Sequence, residues 1–558
     1  MPRRFLPFLL LMALPGCSDR AADPALARGN TLSVLYTTSE WLFSPNHDDS
    51  PKFLMFEPLV TRATGRCSAI VGGVSEGWEP NANRTEWTFR LRPGVRWHDG
   101  APMTSRDVTA SLELWKHSDV QFYHGAPVTD WEALDASTVR VRLAQPGDWP
   151  LNTWDVIYPS HVIETLDPAG FYEWDFWTRP VGNGPFRYVR HEPGVFMELA
   201  ANDDYYLGRP SIDGVVIQFQ AGTGSGGMEL RAGNVDIALL PPLDAKALAD
   251  ADPRFNHYYM LQATQQWLAF NYTHPVLREV AVRQALDHAT DRDGLAAVLG
   301  LPAGLPLSAA PPGPCGLEGE TLMRPRPFDF DRARSILSEA GWTDADGDGF
   351  REKGGRPLAF EILTHRAAEN VAVYLADQWR RVGADVTLRT LEASVAHERL
   401  LAGEYDVIIP RGGDAAVRNA GPQSPFPTLD PDLAAALQAM LDAVGVEDGE
   451  RLAAAAAPRF VELTPALALH ARAEALVAHN RVQGLGEPGS VLETLGFRRP
   501  FGGLTKLWIE NDADETYSAS RDRNTIISQL RDGSKFERDR RLFGVAQVPR
   551  RTRVLRGL

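Results

Sequence analysis

Strand-like and helix-like patterns of apolar residues alternate along most of the chain. TLSVLY (Thr31–Tyr36) and STVRVRLA (137–144) alternate apolar and polar residues, and this period of two predicts β-strands. DVTASLELWKH (107–117) instead carries apolar residues at helical spacing, and Thr104 or Ser105 stands in place to cap the predicted helix. The mixture of the two periods predicts an α/β protein.

Longer segments extend the same pattern. FRYVRHEPGVFMELAAN (186–202) predicts a β-hairpin, and VAVRQALDHATDRDGLAAVLG (280–300) predicts two consecutive amphipathic helices. In AENVAVYLADQWRRVGADVTLRTL (368–391) a helix precedes a strand, which is typical of a mixed sheet covered by helices. ALALHARAEALVAHN (466–480) predicts a pair of strands.

Residues 1–17 have the pattern of a secretory signal. Two arginines precede a short apolar run, which ends in Leu-Pro-Gly-Cys at Cys17. This ending resembles a bacterial lipobox, in which Cys17 becomes the lipidated first residue of the mature protein. An ordinary signal peptide with a coincidental cysteine is the alternative. Residues 18–30 are polar and predict a flexible tether, and no later apolar run is long enough to span a bilayer, so membrane contact is predicted only through the lipid anchor.

Length, charge and cysteine content narrow the possibilities. A chain of 558 residues is too long for one core, and a net charge of −15 disfavours nucleic acid or an anionic membrane surface as partner. After Cys17 the chain has only Cys67 and Cys315, which form either a disulfide or two buried thiols. Residues 512–558 are polar and arginine-rich, which predicts a disordered tail, with a basic interaction arm as the alternative.

A series of short blocks carries a family resemblance. FEPLV (56–60), VSEGWEP (74–80) and EWTFRLRPGVRWHDGAPMTSRDV (86–108) resemble segments of the solute-binding proteins of bacterial peptide/nickel ABC importers. The resemblance continues in GNGPFRY, NDDYYLGRPSIDGVV, ELRAGNVDIA, FNYTHPVLREVAVRQALDHATDRD, FDRARSILSEAGW and LLAGEYDVII. Each block alone is a weak signal, but the blocks keep the order of the family over most of the chain.

The resemblance implies a periplasmic binding protein fold of type II, in its large class, with two lobes joined by a hinge and a solute buried between them. It places the first lobe, with an inserted subdomain, at residues 31–266, the second lobe at 267–484 and a return to the first lobe at 485–511. It further implies a monomer in the periplasm or cell envelope that delivers a small peptide or peptide-like solute to ABC permease subunits in the inner membrane.

The resemblance also implies where the solute binds. After the strand YDVII, peptide-binding members often carry Gly-Trp-x-Gly-Asp, whose aspartate pairs with the α-ammonium group of the peptide. This chain has Pro410-Arg411-Gly412-Gly413-Asp414 in that place. Asp414 matches the ammonium-binding carboxylate, whereas Arg411 replaces the tryptophan and favours a carboxylate or phosphate on the ligand, or pairs with Asp414. A solvated loop is the alternative interpretation.

A second departure from the family follows TLE, where a stacking tryptophan is common and this chain has Ala393. Together, the absence of a tryptophan at position 393 and the presence of Arg411 favour a peptide-like or modified amino-acid ligand that carries an anionic group. The alternatives are a metal chelate, an opine or an oligosaccharide on the same scaffold, or a solute-sensing lipoprotein. His98 has no partner at ligand spacing and is predicted to be structural or solvated. No catalytic constellation is present in the sequence, so neither an enzyme nor a cofactor is predicted.

TDADGDGFREKGGRP (343–357) has the opening of a calcium loop. Asp344, Asp346 and Asp348 stand at the spacing of calcium ligands, but the twelfth position is Gly355, which has no carboxylate. A β-rich segment follows where an EF-hand would have a second helix. The stretch therefore predicts a tight turn built from Asp and Gly rather than a metal site, with calcium as the alternative.

Overall fold

The computed structural model describes residues 30–36, 52–63, 66–117, 120, 128–152, 156–220, 225–313, 315–318, 322–411, 430–443, 446–492 and 507–509. The predicted signal with Cys17, the segment from Gly412 to Asp414 and the predicted tail lie outside these residues. Cys67 lies in a described strand, but its side chain is not described.

Strands and helices alternate along the described chain. The strands are β1 (Thr31–Tyr36), β2 (Val60–Ala63), β3 (Arg66–Gly72), β4 (Ser75–Pro80), β5 (Glu86–Leu91), β6 (Val128–Asp135), β7 (Thr138–Leu143), β8 (Phe186–Glu192), β9 (Phe196–Ala201), β10 (Gly214–Phe219), β11 (Ile237–Leu240), β12 (Phe255–Phe270), β13 (Glu352–Lys353), β14 (Arg356–Pro357), β15 (Ala359–His365), β16 (Asp385–Leu391), β17 (Val407–Ile408), β18 (Ala466–His479), β19 (Val482–Gln483) and β20 (Trp508–Ile509). The α-helices are α1 (Lys52–Met55), α2 (Ser105–Lys116), α3 (Trp149–Asn152), α4 (Ser160–Ile163), α5 (Gly226–Ala232), α6 (Pro242–Ala251), α7 (Val280–His288), α8 (Arg292–Val298), α9 (Phe330–Glu339), α10 (Glu369–Arg380), α11 (Ala393–Ala402), α12 (Pro431–Leu441) and α13 (Val446–Leu463). Short 3-10 helices cover Pro168–Glu173, Asp175–Thr178, Gly316–Glu318 and Arg366–Ala368.

A ten-stranded mixed sheet runs through the molecule in the order β16-β15-β17-β12-β18-β11-β1-β10-β9-β8. At one end β15 and β16 pair in parallel and are connected by α10, which confirms the predicted helix-then-strand unit. At the other end β8 and β9 form the predicted hairpin, and β1 pairs in parallel with β10. A separate four-stranded sheet has the order β4-β5-β7-β6. The α/β prediction is therefore confirmed.

The middle of the large sheet is formed by the two longest strands, β12 and β18, which pair antiparallel along most of their length. The prediction of a strand pair in 466–480 was wrong, because β18 is one continuous strand. Its polar centre contains His470, Arg472 and Glu474. His470 and Arg472 are partly exposed and Glu474 is exposed, while the residues before and after this centre are buried, so the strand continues past a less covered part of the sheet.

Two large clusters of buried apolar residues lie at opposite ends of these strands. The first core takes Tyr258 from β12 and Leu476 from β18, together with residues from the earlier part of the chain. The second core takes Leu268 from β12 and Leu467 from β18, together with α7, α9, α10 and β15–β17. β12 and β18 therefore pass from one core to the other. The predicted lobe boundaries themselves remain a prediction.

The register of β12 against β18 shifts twice between the two cores, between Leu261 and Gln265 and again between Gln266 and Trp267. A shift of this kind leaves residues without a ladder partner and bends the strand locally. Gln265 is completely buried at this point; its amide donates to the Ser308 carbonyl (2.7 Å) and its carbonyl accepts from Ser308 N–H (2.9 Å). The irregular segment is thus held by specific side-chain hydrogen bonds.

Helix α2 shows how local sequence positions the first core. Thr104 is its N-cap, which decides between the two predicted capping residues, and the Thr104 N–H donates to the Asp107 carboxylate (2.7 Å). The other oxygen of Asp107 accepts from both N–H (2.7 Å) and hydroxyl (2.8 Å) of Ser160, which begins α4. One buried carboxylate therefore caps one helix and fixes the start of another. In the part of the chain described, none of the helices has the length and apolar character needed to cross a bilayer.

Candidate functional site

The candidate site lies where β15 and β17 end, beside the irregular part of β12 and β18. β15 and β17 are parallel, with Leu363 opposite Ile408, so the residues that follow these strands emerge at the same edge of the sheet. His365 is the last residue of β15, and Arg411 comes shortly after β17. Parallel strands present ligand-binding groups at their carboxyl ends, which makes this edge the natural place to look for a site.

β12 and β18 complete the edge. Gln266 in β12 is opposite His470 in β18, and the Gln266 amide donates to the carbonyl of Pro410 (3.0 Å), directly before Arg411. His470 contacts the Ala471 carbonyl through Nδ1 (3.0 Å). Residues from four strands therefore meet where the sheet passes between the two cores.

His365 is the most unusual polar group of this edge. Its side chain is buried, with 7% of the residue exposed, and Nε2 has no hydrogen-bond partner among the described residues. The pKa of His365 is lowered, first by burial and then by the positive charges of Arg411 and Arg472, while a hydrogen bond with the backbone of Pro410 acts in the opposite direction. Burial and nearby positive charge therefore favour the neutral form of the imidazole.

His470 has a similar environment. Burial lowers its pKa, the Arg472 charge lowers it further, and the contact with the Ala471 carbonyl raises it. Arg411 itself is exposed. The edge thus contains two histidines whose pKa values are lowered, and two arginines, Arg411 and Arg472.

The predicted site residues have different outcomes. Arg411 lies at the edge described above. It comes shortly after β17, the strand that the sequence analysis placed before the ligand-binding segment. Ala393, where a stacking tryptophan is common, begins α11 just after β16, whose last residue pairs with His365. Gly412, Gly413 and Asp414 lie outside the described residues, so their role in binding remains a prediction.

Sequence reasoning missed His365, Gln266, His470 and Arg472. One signal was present in β18, where HARAE places polar residues in the middle of an otherwise apolar strand. Polar residues at the centre of a long buried strand are expensive unless they have a partner or a function. The end of β15 gave no comparable signal, because a histidine after a strand is common at ordinary turns.

The DADGDG stretch forms the predicted turn. Gly347 and Gly349 have positive φ angles of 78° and 92°, and their N–H groups donate to the two oxygens of Asp344 at 2.8 and 3.1 Å. Asp346 accepts from the N–H of Asp348 (3.2 Å). The three aspartates are exposed, with ligand atoms within 4.8 Å of one another, an arrangement that is common without any metal ion. The Asp346 bond is that of an Asx turn and the two Asp344 bonds close the wider loop around it, so the prediction of a tight turn is confirmed.

The structure does not decide between a Cys67–Cys315 disulfide and two buried thiols. Cys315 is buried, with 3% of the residue exposed, and its backbone N–H donates to the Glu450 carboxylate (2.8 Å) at the start of α13. The side chain of Cys67 is not described. Whether the two sulfur atoms are bonded remains a prediction.

Comparison with known proteins identifies the family of this chain. Residues 69–427 match the family described as bacterial extracellular solute-binding proteins, family 5 Middle. A putative ABC transporter peptide-binding protein of Brucella ovis is 28% identical over 393 residues, which cover 67% of this chain and 71% of the relative.

Solved structures show the same fold. The ABC transporter substrate-binding protein CtaP of Listeria monocytogenes superposes with a TM-score of 0.68 at 18% identity, covering 87% of this chain and all of that chain (100%). NikZ of Campylobacter jejuni, in complex with Ni(L-His), superposes with a TM-score of 0.62 at 20% identity, covering 86% of this chain and 99% of that chain. The fold is that of the two-lobed periplasmic binding proteins, and the chain belongs to family 5 of the bacterial extracellular solute-binding proteins.

Proposed function

We propose that this protein is the extracytoplasmic solute-binding component of an ABC importer, that it captures a peptide or peptide-like solute by closure of its two lobes, and that it delivers the solute to the permease. Membership of the family supports the binding role. The observation that carries the proposal is that β12 and β18 connect the two cores and bring their polar segments to the carboxyl ends of β15 and β17. A ligand at this edge would contact both the second core and the connecting strands.

The contacts of the connecting strands indicate where closure would bend the chain. Gln266 is bonded to Pro410, which follows Ile409 of the second core, and Gln265 is bonded to Ser308, which lies beside a smaller buried cluster that contains Trp267 and Ala310. Residues from Gln265 onward should therefore move with the second core and this smaller cluster. The rotation would be absorbed in the preceding residues of β12, where the register against β18 first shifts.

The proposed solute carries both an ammonium and an anionic group. Asp414 would bind the ammonium group, as the family resemblance implies, and Arg411 would bind a carboxylate or phosphate. A charged pair gains strength in a closed cleft because both partners lose water together, although the cost of that desolvation must be repaid by good geometry. Gly412 and Gly413 between them would allow the backbone to approach the solute closely.

The proposed location follows from the predicted signal. Cys17 would carry the lipid that anchors the mature protein in the cell envelope, with residues 18–30 as the tether to the lobes. One myristoyl-like chain gives only marginal membrane binding, so stable anchoring would require the multiple acyl chains of a bacterial lipoprotein. The soluble part would act as a monomer facing the periplasm.

A metal chelate is the second candidate solute. The observation that favours it is the presence of two imidazoles, the buried His365 and the partly buried His470, at the same edge of the sheet. Imidazole nitrogen is a common ligand for nickel and other divalent metals. The solved NikZ structure contains Ni(L-His), which concerns that protein and shows only that the fold can hold such a ligand.

Native mass spectrometry of the chain from Ser18 onward, purified without denaturation, would test the proposal. Closed binding proteins release ligand slowly because the lobes must reopen, so a solute from the host should remain bound. A bound mass that fragments as a peptide or amino-acid conjugate would support the proposal, and a mass containing a divalent metal would support the second candidate.

Titration calorimetry with the identified solute would then assign the residues. Arg411→Ala and Asp414→Ala should each weaken binding by at least about tenfold, because each removes a charge-assisted hydrogen bond. Arg399→Ala is the matched control, because it removes an ion pair between Arg399 of α11 and Glu404, which follows the helix. This variant should bind the solute as the unaltered protein does. Unchanged affinity in both site variants would contradict the proposed ligand contacts.

A further inference from the structure

The turn that ends α8 lies against the start of α6, and these two helices are attached to different ends of the large sheet. Leu295 in α8 is part of the second core. Ala245 and Leu248 in α6 belong to a further buried cluster, which also takes Leu35 from β1. Because β1 carries residues of the first core as well, α6 is attached to the first-core end of the sheet. The contact between α8 and α6 therefore joins the two ends.

Gly300 forms the turn that ends α8. Its φ angle is 70°, its N–H donates to the Ala297 carbonyl (3.1 Å), and the Leu301 N–H donates to the Ala296 carbonyl (2.9 Å). These are the hydrogen bonds of a Schellman motif, which favours glycine at this position. The motif alone accounts for a glycine, but not for its close approach to α6.

Gly300 touches the backbone of α6 directly. A Cβ atom at this position would lie 2.6 Å from both the N and Cα atoms of Leu243 and 3.0 Å from the carbonyl carbon of Pro242. Backbone atoms at the start of a packed helix cannot rotate away as a side chain can. Gly304, in the following loop, has a similar φ angle of 75°, but a Cβ atom there would meet no described atom within 4 Å. Packing against α6 is therefore a separate requirement for glycine at position 300.

A buried hydrogen bond connects the same two sides. Tyr259 of β12 belongs to the same buried cluster as Ala245, and its hydroxyl donates to the Gly300 carbonyl (3.0 Å). The backbone of Tyr259 is itself held by the Ser490 carbonyl (2.9 Å) and the Leu492 N–H (2.7 Å). Steric contact opposes a closer approach of the two helices, while the Tyr259 bond opposes their separation.

We propose that Gly300, Leu243 and Tyr259 form a waist contact that is the pivot of the two lobes. The inference rests on the proposed function, because it locates the axis of the proposed lobe closure. A place that is held against both approach and separation stays close to the axis when the lobes rotate. The irregular segment of β12 between Leu261 and Gln265 follows Tyr259 in the chain and is the second place on the axis. Together the two places define its direction.

This axis predicts which separations change on closure. β8 and β16 are the outermost strands of the ten-stranded sheet, so the separation between the exposed Val189 of β8 and Thr387 of β16 should change. Ala247 of α6 and Ala297 of α8 are also exposed, and each stands about 5 Å along its helix from the waist contact. The separation between Ala247 and Ala297 should therefore stay nearly constant.

The experiment has two arms and uses the chain from Ser18 onward. In the first arm, nitroxides are attached through a ketone-bearing amino acid introduced at positions 189 and 387, or at 247 and 297. Double electron–electron resonance measures the 189–387 separation, and dipolar line broadening measures the 247–297 separation, without and with saturating Ala-Glu dipeptide. A change at 189–387 with none at 247–297 supports the pivot, whereas comparable changes in both pairs overturn it.

The second arm needs no solute. Gly300→Ala inserts a methyl group into the waist contact and should shift the mean 189–387 separation. Gly304→Ala is the matched control, because it imposes a similar backbone strain without a neighbouring atom, and it should leave that separation unchanged. Equal behaviour of the two folded variants overturns the pivot.

Tyr259→Phe decides the question if Gly300→Ala does not fold. This variant keeps the buried ring and removes only the hydroxyl that bonds to Gly300, so the 247–297 separations should become more widely distributed. A distribution as narrow as that of the unaltered protein would then overturn the pivot.

The two arms separate failure of the pivot from failure of the proposed function. If Ala-Glu changes both separations alike, the lobes close about another axis, which overturns the pivot and leaves the proposed function intact. If Ala-Glu changes neither separation, closure around a dipeptide is contradicted, and the second arm still decides whether the waist contact is the pivot.

Discussion

Acidification should destabilise the first core through one histidine, His98. Its backbone N–H donates to the Gly182 carbonyl (2.7 Å), while the Gly182 N–H donates to Nδ1 of the ring (3.3 Å). The proton of the neutral ring therefore sits on Nε2, which donates to the Gly184 carbonyl (3.0 Å). Both nitrogens are satisfied only in the neutral form, because a proton on Nδ1 would face an N–H group.

The magnitude follows from the pKa. Burial, with a smaller contribution from the charge of Arg187, lowers the pKa of His98 from 6.5 to about 4, although the Gly184 carbonyl and Asp99 act in the opposite direction. Because the folded pKa is below the unfolded one, the stabilisation is complete above about pH 6.5 and is lost as the pH falls toward 4. Lowering the pKa from 6.5 to about 4 means that full protonation of His98 costs about 3 kcal/mol of unfolding free energy. About 2 kcal/mol of this is already lost at pH 5.

Urea unfolding at about pH 7.5 and about pH 5 would measure this effect in the unaltered protein and in His98→Gln. Glutamine can still donate to Gly184 but does not titrate, so the variant should be somewhat less stable at neutral pH and should lose about 2 kcal/mol less on acidification. Both proteins share all other ionisable groups, so the contributions of those groups cancel in the comparison. His397→Gln, at an exposed position, should follow the unaltered protein. If His98→Gln loses as much stability as the unaltered protein, the linkage argument is wrong.

Three further substitutions test the packing. Gly182→Ala would place its Cβ 1.8 Å from a backbone carbonyl oxygen and should cost more than about 3 kcal/mol of unfolding free energy. In the control Gly170→Ala the nearest atom lies 3.8 Å from the new Cβ, so the cost should be less than about 1 kcal/mol. Equal costs would contradict the steric argument. Asp287→Ala would leave two partly buried arginines without their carboxylate and should lower the free energy of unfolding by about 3–5 kcal/mol, against about 0.5 for the exposed Asp331→Ala. Asp107→Asn should lower the free energy of unfolding by about 1–3 kcal/mol, because the carboxylate accepts from four donors; calorimetric melting that shows no loss would contradict this.

The sequence predicted correctly those elements in which one hydrophobic period, either helical or strand-like, continues without interruption. Helix α10 and strand β16 follow each other as the 368–391 pattern predicts, and the 186–202 hairpin has its turn at Gly194, where φ is 70°. In such segments local pattern and tertiary burial agree, so the pattern is sufficient. The family resemblance implied the two-lobed fold, which no local pattern could give, but it did not predict the strand order of the sheets.

The error in 466–480 and the missed site residues have the same cause, which is that tertiary pairing is not visible in a local pattern. The alternation in 466–480 predicts strand structure, but local pattern alone cannot distinguish two strands from one strand with a polar centre. The partner strand β12, which pairs with β18 along most of its length, shows that β18 continues. His365 and Arg411 come to the same edge only through sheet topology, because they follow parallel strands that are separated in the chain.

Net charge predicts less about a small solute than about a large partner surface. A charge of −15 repels a large anionic surface, because such a surface meets the field of the whole protein. A small anion inside a cleft meets mainly the groups within a Debye length, about 8 Å at physiological salt. The acidic exterior is therefore compatible with the proposal that the exposed Arg411 binds an anionic group of the solute. The same exterior disfavours polyanionic partners, because they would meet the charge of the whole protein.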